Sequence, residues 1–467
     1  MKNKFLIKLL LIAGLILGLL IPLMMVEGVV SDRSAFRDQA RSSIAASWTG
    51  EQKFLGPILV LPYSQEYQRK VWDEKLKDYR HESYSKAKQL LMLPTDLKTS
   101  ADIKTEERSR GIYSIPVYDS DLVVQGTFDN RKVLELLKRD NISIAWDKAY
   151  LSLIISDIRG IVTQPVLNWN DKKQEFVSGS GLDQHGSGMR ARVVGLENTQ
   201  PAQYHFDFEL NLHGMETVQF SPVGKNTHVE VRSDWLHPSF IGRYLPSERV
   251  IDHQGFHAVW RVSSFSSDME RVLELCQEGA CENYINNTFG VSMMQSVDIY
   301  QQTERSVKYA ILFITLTFVA FFLFEVMKSL RLHPMQYLMV GCSLTVFYLL
   351  LVSLSEHLDF QRAYLIASLA NVGVIGFYIS AVLQSRIRAV AFTAVLLILY
   401  GMLYLILRSE DNALLMGSLL IFAVLALVMV ITRNLDWYRV AEQVANQAVV
   451  ISGQSGKDLD NGSVKTE

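Results

Sequence analysis

Long apolar runs separated by short polar breaks fill the last third of the chain. Five such runs are each about 16–20 residues long, enough for a helix to cross the hydrocarbon core of a bilayer. They are residues 309–324, 337–354, 364–383, 390–407 and 413–431. Charged side chains lie in the breaks, because a charge at mid-membrane costs about 3 kcal/mol or more. The pattern predicts five transmembrane helices.

A sixth apolar run opens the chain. Lys2, Lys4 and Lys8 precede about eighteen residues interrupted by Pro22, a stretch that is long for a signal peptide. No small-residue cleavage site follows it, so we predict an uncleaved N-terminal anchor. Residues 31–48 keep a helical spacing of apolar and charged positions, with Ser31 or Asp32 as a candidate cap, and residues 50–57 end the pattern.

Between these two membrane regions the signals are mainly those of β-strands. Short runs rich in Val, Ile, Tyr and Phe occur at residues 58–63, 112–118, 122–128, 150–156 and 204–212. In the last of them Asp207 and Glu209 alternate with apolar residues, which predicts one buried face and a solvated face for the two carboxylates. Helices are expected at residues 130–138 and 266–277. We predict a β-rich domain of antiparallel sheets, either a sandwich or an α+β fold.

The basic residues predict the orientation of the spans. With a cytoplasmic N-terminus, the inside loops carry Lys328, Arg331, Arg386, Arg388, Arg433 and Arg439. The outside loops carry Arg362 and Arg408. We therefore expect residues 1–30 as the anchor, 31–306 as a periplasmic domain, 307–438 as a five-helix membrane region and 439–467 as a disordered cytoplasmic tail. The periplasmic domain is either single or divided into two subdomains at the glycine-rich residues 178–188.

Few motifs in the chain suggest chemistry. A net charge of −2 and the lack of a basic patch argue against nucleic acid as a partner. Seven of the ten histidines lie between His185 and His257, but their spacing does not match a metal site. No nucleophile motif, zinc-protease motif or phosphate-binding loop is present. We predict no catalytic residue, no cofactor and no metal.

Two polar features are candidate sites. Cys276 and Cys281 share the segment CQEGAC, where they form either a small disulfide loop in an oxidising compartment or two free thiols. The third cysteine, Cys342, lies in an apolar run and is expected to be buried.

The other feature is a polar hinge between the first two C-terminal spans, with the candidate residues Glu325, Lys328, Arg331, His333 and Pro334. Glu325 is expected within reach of Lys328 or Arg331, and Pro334 is expected to start the next span. The hinge is either a tight turn held by local ion pairs or a site for a ligand or lipid headgroup. Beyond the next span, Glu356, His357 and Asp359 are expected to form a solvated polar cap. Asn371, Gly373 and Gly376 resemble helix-packing residues.

Four stretches resemble the CreD family of bacterial inner-membrane proteins. They are residues 301–356, SDWLHPSFIGRYLP at 233–246, GFHAVWRVS at 255–263 and RNLDWY at 433–438. The resemblance covers nearly the whole chain except the tail. It implies an inner-membrane protein linked to cell-envelope integrity and to a carbon-source-responsive two-component system. It brings no catalytic residues.

Three classes of function compete for this sequence. A transporter normally places charged groups or broken helices near the midplane, and no charged residue lies mid-span here. An enzyme lacks a nucleophile–base signature. We therefore expect a non-enzymatic inner-membrane protein that supports envelope integrity. Its periplasmic domain senses, binds or scaffolds an envelope protein, a lipid or a cell-wall component; the alternative is a transporter or a protein that handles lipids or envelope precursors.

Overall fold

The protein is described by a computed structural model that covers residues 3–73, 78–182, 186–197, 200–277, 282–294, 299–327, 332–383, 385–409 and 413–433. The chain forms two compact units. One consists of Arg37–Ser296, and the other combines residues 1–36 with the chain from Val297 onward. The expected tail at residues 439–467 lies outside the described residues.

The first helix, α1, runs without a break from Asn3 to Ser47 and contains Pro22. Neither Ser31 nor Asp32 caps a helix, because both lie inside α1; the expectation of a cap there was wrong. The continuation of the anchor as helix is confirmed, and Gly50 follows soon after the end of α1.

Sixteen strands form the sheet of the unit Arg37–Ser296 within the described residues. They are β1 (Gln52–Asp73), β2 (Asp78–Met92), β3 (Asp96–Arg110), β4 (Tyr113–Asp129), β5 (Ile142–Ile144), β6 (Tyr150–Ile155), β7 (Val166–Trp169), β8 (Lys172–Ser178), β9 (Gly188–Arg192), β10 (Gln203–Met215), β11 (Thr217–Phe220), β12 (Asn226–Ser233), β13 (Ser239–Gly242), β14 (Glu248–Asp252), β15 (Gly255–Ser263) and β16 (Phe289–Ser292). Short helices interrupt them: α2 (Arg131–Leu137), α3 (Ser264–Ser267), α4 (Met269–Gln277) and α5 (Glu282–Asn286).

The strand order is β13-β16-β11-β1-β6-β9-β8-β7-β10-β4-β3-β12-β15-β14, and β2 and β5 pair with β1. Most neighbours are antiparallel, as expected; β1–β11 and β3–β12 are parallel. The strands expected at residues 112–118 and 122–128 are one strand, β4, which pairs with β3 and β10 along its length. Strands β8 and β9, on either side of residues 178–188, pair with each other.

Alternating apolar positions build the core of the sheet. In β10 the residues from Gln203 to Leu210 alternate between exposed and buried, so Asp207 and Glu209 lie on the solvated face, as predicted. The buried side packs aromatic rings: Phe206 lies 5.2 Å from Phe128 between ring centroids, and Trp169 stacks on Tyr204 at 5.8 Å. Burial of each such ring contributes about 1.5–3 kcal/mol.

The hairpin of β1 and β2 extends beyond this core. Its pairing runs without interruption from Leu59–Met92 to Asp73–Asp78. Most side chains in the distal half are exposed, including Trp72, Tyr79 and Tyr84. Aromatic pairs cross the ribbon, with Trp72 and Tyr79 centroids 5.1 Å apart. The apolar pattern did not predict this half because neither face of the ribbon is buried.

The second unit is helical. After α6 (Ile299–Lys308) come α7 (Ala310–Met327), α8 (Pro334–Ser355), α9 (Phe360–Val382), α10 (Arg386–Arg408) and α11 (Ala413–Thr432). Within the described part of the chain, α1 and these last five helices are the six long and apolar enough to cross a membrane. The predicted fold class, six spans with a large β-rich domain, is confirmed. The short helix α6 was not predicted.

Candidate functional site

Glu325, near the end of α7, is the centre of a buried polar cluster in the helical unit. Its side chain is 8% exposed and forms an ion pair with Lys8 of α1. The Tyr337 hydroxyl of α8 donates to Glu325 Oε2 at 2.9 Å, and the Leu332 amide donates to Oε1 at 3.2 Å. Lys8 Nζ also donates to the Leu332 carbonyl at 3.2 Å. The cluster therefore joins three helices.

The sequence singled out Glu325 but not its partner. Lys328 and Arg331, the expected partners, lie outside the described residues, so their part in the hinge stays a prediction. Lys8 stands 317 residues away in the chain, so no local spacing signals it.

His333 and Pro334 set the start of α8. His333 is extended, with φ −78° and ψ 143°, and Pro334 is the first helical residue, as predicted. His333 Nδ1 accepts from the Met335 amide at 3.2 Å, while the His333 amide donates to Gln336 Oε1 at 3.1 Å. This reciprocal cap satisfies two amides that the helix itself leaves unpaired.

A second ion pair joins α1 to α8 at the other end of the bundle. Arg33 Nε lies 3.2 Å from Glu356 Oε1, and the Glu356 side chain is 9% exposed. The expectation of a solvated Glu356 was therefore wrong, because a cation from α1 covers it. His357 and Asp359 are exposed, as expected.

Between the two ion pairs α1 presents one apolar stripe to the bundle. Leu19, Leu23, Val26 and Val30 are buried in its core. Their spacing of three and four residues keeps them on one helical face. A Cβ added at Gly341 of α8 would lie 2.3 Å from Leu19 Cδ1, so this glycine makes room for the stripe.

A polar network crosses the middle of the bundle. Ser343 of α8 donates to Asn371 Oδ1, and Asn371 Nδ2 donates to the Tyr400 hydroxyl of α10 at 2.6 Å. Gly376 packs against Thr393, as predicted, whereas no atom of the described residues lies within 4 Å of a Cβ added at Gly373. Asn371 and Ser343 also line a largely apolar groove of about 370 Å³ between α8 and α9. Cys342 lines the same groove and is exposed, so the expectation of a buried thiol was wrong.

In the sheet unit, the end of α1 is held by charged groups. Arg41 Nε donates to the buried Glu216 Oε2 at 2.6 Å, and burial raises the pKa of Glu216 although Arg41 opposes the shift. Arg159 donates to the Ala46 carbonyl at 2.8 Å, capping the helix end. The hydrogen bond from Arg159 holds the pKa of Asp157 below its usual range.

The histidines and the paired carboxylates that the sequence analysis considered have ordinary surroundings. His257 Nε2 lies 2.9 Å from Glu230 Oε1 on neighbouring strands, and Asn168 donates to Asp207 at 3.0 Å. Over the described ranges, no group of three or more His, Cys, Asp and Glu side chains is arranged to hold a metal ion. His185 lies outside those ranges.

Cys276 lies near the end of α4 and is half-buried against the sheet core. Cys281 lies outside the described residues, so the pairing of the two cysteines stays a prediction.

Next to Cys276, the sheet unit contains a cavity of about 700 Å³ that the sequence did not indicate. Strands β1, β2, β5 and β6 and helices α4 and α5 contribute to its walls. Its charged lining residues are Lys88 and Lys148, and no carboxylate of the described chain lines it. The rest of the wall mixes apolar side chains, such as Leu182 and Leu273, with small polar ones.

Tyr284 of α5 also lines the cavity. Its side chain is completely buried, and its hydroxyl has no hydrogen-bond partner among the described residues. Burial raises the pKa of Tyr284, which keeps the hydroxyl protonated as a donor. Leaving such a group unpaired costs about 1–3 kcal/mol.

Comparison with known proteins identifies the family of the chain. The family model described as "Inner membrane protein CreD" matches residues 4–438. The inner membrane protein CreD of Escherichia coli (strain K12) is 36% identical over 425 residues, which cover 91% of this chain and 92% of that protein.

Among solved structures, an M1 zinc metallopeptidase from Deinococcus radiodurans matches over 36% of this chain and 39% of that one. Its identity is 7% and its TM-score 0.17, so this likeness carries no argument. The family match extends from α1 through the sheet to the last described helix. The chain therefore belongs to the CreD family of inner membrane proteins.

Proposed function

We propose that this inner-membrane protein supports the integrity of the cell envelope without catalysing a reaction, and that its sheet unit is a periplasmic binding domain. The observation that carries the proposal is the cavity of about 700 Å³ beside Tyr284. Its size falls in the range of small-molecule sites, and its walls combine charged, polar and apolar groups.

The periplasmic placement rests on the basic residues of the loops. Arg386 and Arg388 begin α10, and Arg433 follows α11. The positive-inside rule assigns both of these helix ends to the cytoplasm, together with the N-terminal lysines. The sheet unit, which follows α1 in the chain, then lies outside. A regulatory link to a two-component system belongs to the same proposal and rests on the family alone.

A second function, the handling of lipids or envelope precursors, is favoured by one observation. The groove between α8 and α9 is lined mainly by apolar residues and contains the Ser343 and Asn371 side chains. An apolar groove with two neutral polar groups suits an alkyl chain better than an ion.

The proposal is tested in cells that lack this protein. The integrity of their envelope is measured by the entry of a large antibiotic, and expression of the full chain should restore the barrier. A chain in which residues 52–294 are replaced by a flexible linker should be inserted at normal abundance and fail to restore it. Full restoration by the helices alone would overturn the role given to the sheet unit and favour the groove between α8 and α9.

A further inference from the structure

We propose that the cavity beside Tyr284 binds an anionic amphiphile: a single alkyl chain that ends in a carboxylate or a phosphate. The inference deepens the proposed binding role by naming the class of ligand. The anion lies at Lys88 and Lys148, and the alkyl chain lies against the apolar wall.

The sign of the charge follows from the lining. Lys88 Nζ donates to Gln65 Oε1 at 3.0 Å and to the Tyr67 hydroxyl. An ammonium group has three donors, so one N–H remains for a ligand. The hydrogen bond to Tyr67 also raises the pKa of Lys88, which keeps it charged at neutral pH. Lys148 forms no ion pair within the described chain, and no described carboxylate lines the cavity to neutralise either lysine.

The amphiphilic character follows from the size and the walls. A water molecule occupies about 30 Å³ of liquid, so a free inorganic anion would leave most of the 700 Å³ unfilled. Ile144, Leu182 and Leu273 offer apolar surface that such an anion would not use. An alkyl chain removes this surface from water, which favours binding.

Four probes separate the sources of affinity. The full chain in nanodiscs of a zwitterionic lipid is titrated by calorimetry with decanoate, decyl phosphate, decanol and inorganic phosphate. Decanoate and decyl phosphate should bind with one site per chain. Decanol and inorganic phosphate should each bind at least ~10-fold more weakly, because each lacks one half of the recognition. If decanol bound as tightly as decanoate, a requirement for an anionic headgroup would be ruled out. If inorganic phosphate bound as tightly as decyl phosphate, a requirement for an alkyl chain would be ruled out.

Each variant is compared with the parent protein in the same nanodiscs, because partition of the ligand into the lipid is then the same in both titrations. Lys88→Gln with Lys148→Gln should weaken decanoate ~10- to 100-fold, as expected for the loss of charge-assisted contacts. The matched control, Lys172→Gln with Lys173→Gln, removes two exposed lysines of β8 and should bind as the parent does. Unchanged affinity in the Lys88 and Lys148 variant would overturn the site. A sheet unit that binds decanoate but is dispensable for the barrier would instead overturn the proposed function alone.

Discussion

Glu325 is a carboxylate enclosed by three donors from different parts of the chain: Lys8 Nζ, the Leu332 amide and the Tyr337 hydroxyl. A charge buried near the bilayer is stable when it is paired and hydrogen-bonded, and removing one partner leaves the other uncompensated. The Lys8 side chain keeps 23% exposure, which reduces this cost through solvent screening.

We expect Glu325→Gln to insert normally but to destabilise the helical unit by about 1–3 kcal/mol, because Lys8 loses its counter-charge. The measurement is the unfolding temperature in detergent. The control is Glu304→Gln, which removes an exposed partner of Lys308 and should have almost no effect. If both variants melted alike, the Glu325 cluster would not contribute to holding α1 in the bundle. Loss of the envelope barrier at unchanged stability would make it a ligand site.

Asp157 carries a pH-dependent contact. Its pKa is lowered mainly by the hydrogen bond from Arg159, so its contribution to stability is present above the ordinary value of about 3.9 and is lost as pH falls through the folded value. Asp157 Oδ2 accepts from the Gly50 amide at 3.0 Å. We expect the hydrogen-exchange protection factor of this amide to hold from pH 6 to below about pH 3.9 and to fall only as Asp157 is protonated at its lowered pKa.

Asp157→Asn should lower that protection factor already at pH 6 and remove most of its pH dependence. Asp207→Asn is the matched control, since Asp207 is exposed on β10 and far from Gly50 in the chain. A parent protein whose Gly50 protection fell already above about pH 3.9 would contradict the assignment.

At the scale of elements, α1 is packed as a member of the bundle. Gly341 of α8 receives the Leu19 side chain, whereas Gly373 of α9 has open space around it. We expect Gly341→Leu to lower the unfolding free energy by about 1–3 kcal/mol through overpacking. Gly373→Leu should be neutral or stabilising, because leucine favours helix more than glycine does. Equal melting temperatures in detergent would show that α1 does not pack at Gly341.

The segment that contains Cys276 and Cys281 carries a further prediction. If Cys276 and Cys281 are bonded, labelling of denatured, unreduced protein should modify Cys342 alone. A bond that closes so short a loop contributes about 2 kcal/mol at most. Mass spectrometry after labelling gives the answer directly, and a Cys342→Ala variant serves as the unlabelled control. Three labelled cysteines would reject the bond.

The sequence predicted those elements in which the surroundings of the side chains impose a regular pattern of apolar residues. The bilayer forces an unbroken apolar run, so α7 to α11 were predicted to within a few residues. A strand with one buried face alternates, so β10 was predicted as well. The distal half of β1 and β2 has no buried face and leaves no such pattern. The stripe on α1 was also missed, because Leu19 and Leu23 stand in a run that is apolar all round.

The candidate site was less accessible from sequence, because its contacts join distant parts of the chain. Glu325 was singled out as a charge at the end of an apolar run, but Lys8 and Tyr337 were not. Glu356 was predicted to be solvated, and Arg33 was not singled out. The cavity beside Tyr284 brings together six elements of the sheet unit, and no local spacing reports that arrangement.

At the scale of the whole molecule, the proposed orientation makes a simple prediction. Reporter fusions after Gly188, in the sheet unit, and after Ser385, before α10, should report opposite sides of the membrane. A reporter active in the periplasm should be active at Gly188 and inactive at Ser385, and a cytoplasmic reporter should show the reverse. Cytoplasmic activity at both positions would contradict the topology.

The two ion pairs of α1 have a mechanical consequence. Lys8 and Arg33 are separated by 25 residues, about 37 Å or nearly seven helical turns, so both cations lie on the same edge of the helix. A slip by one residue would turn that edge by about 100° and would detach both cations at once. The two ion pairs therefore oppose both translation of α1 along its axis and rotation about it. They also fix the depth of α1 in the membrane at two points roughly one bilayer thickness apart.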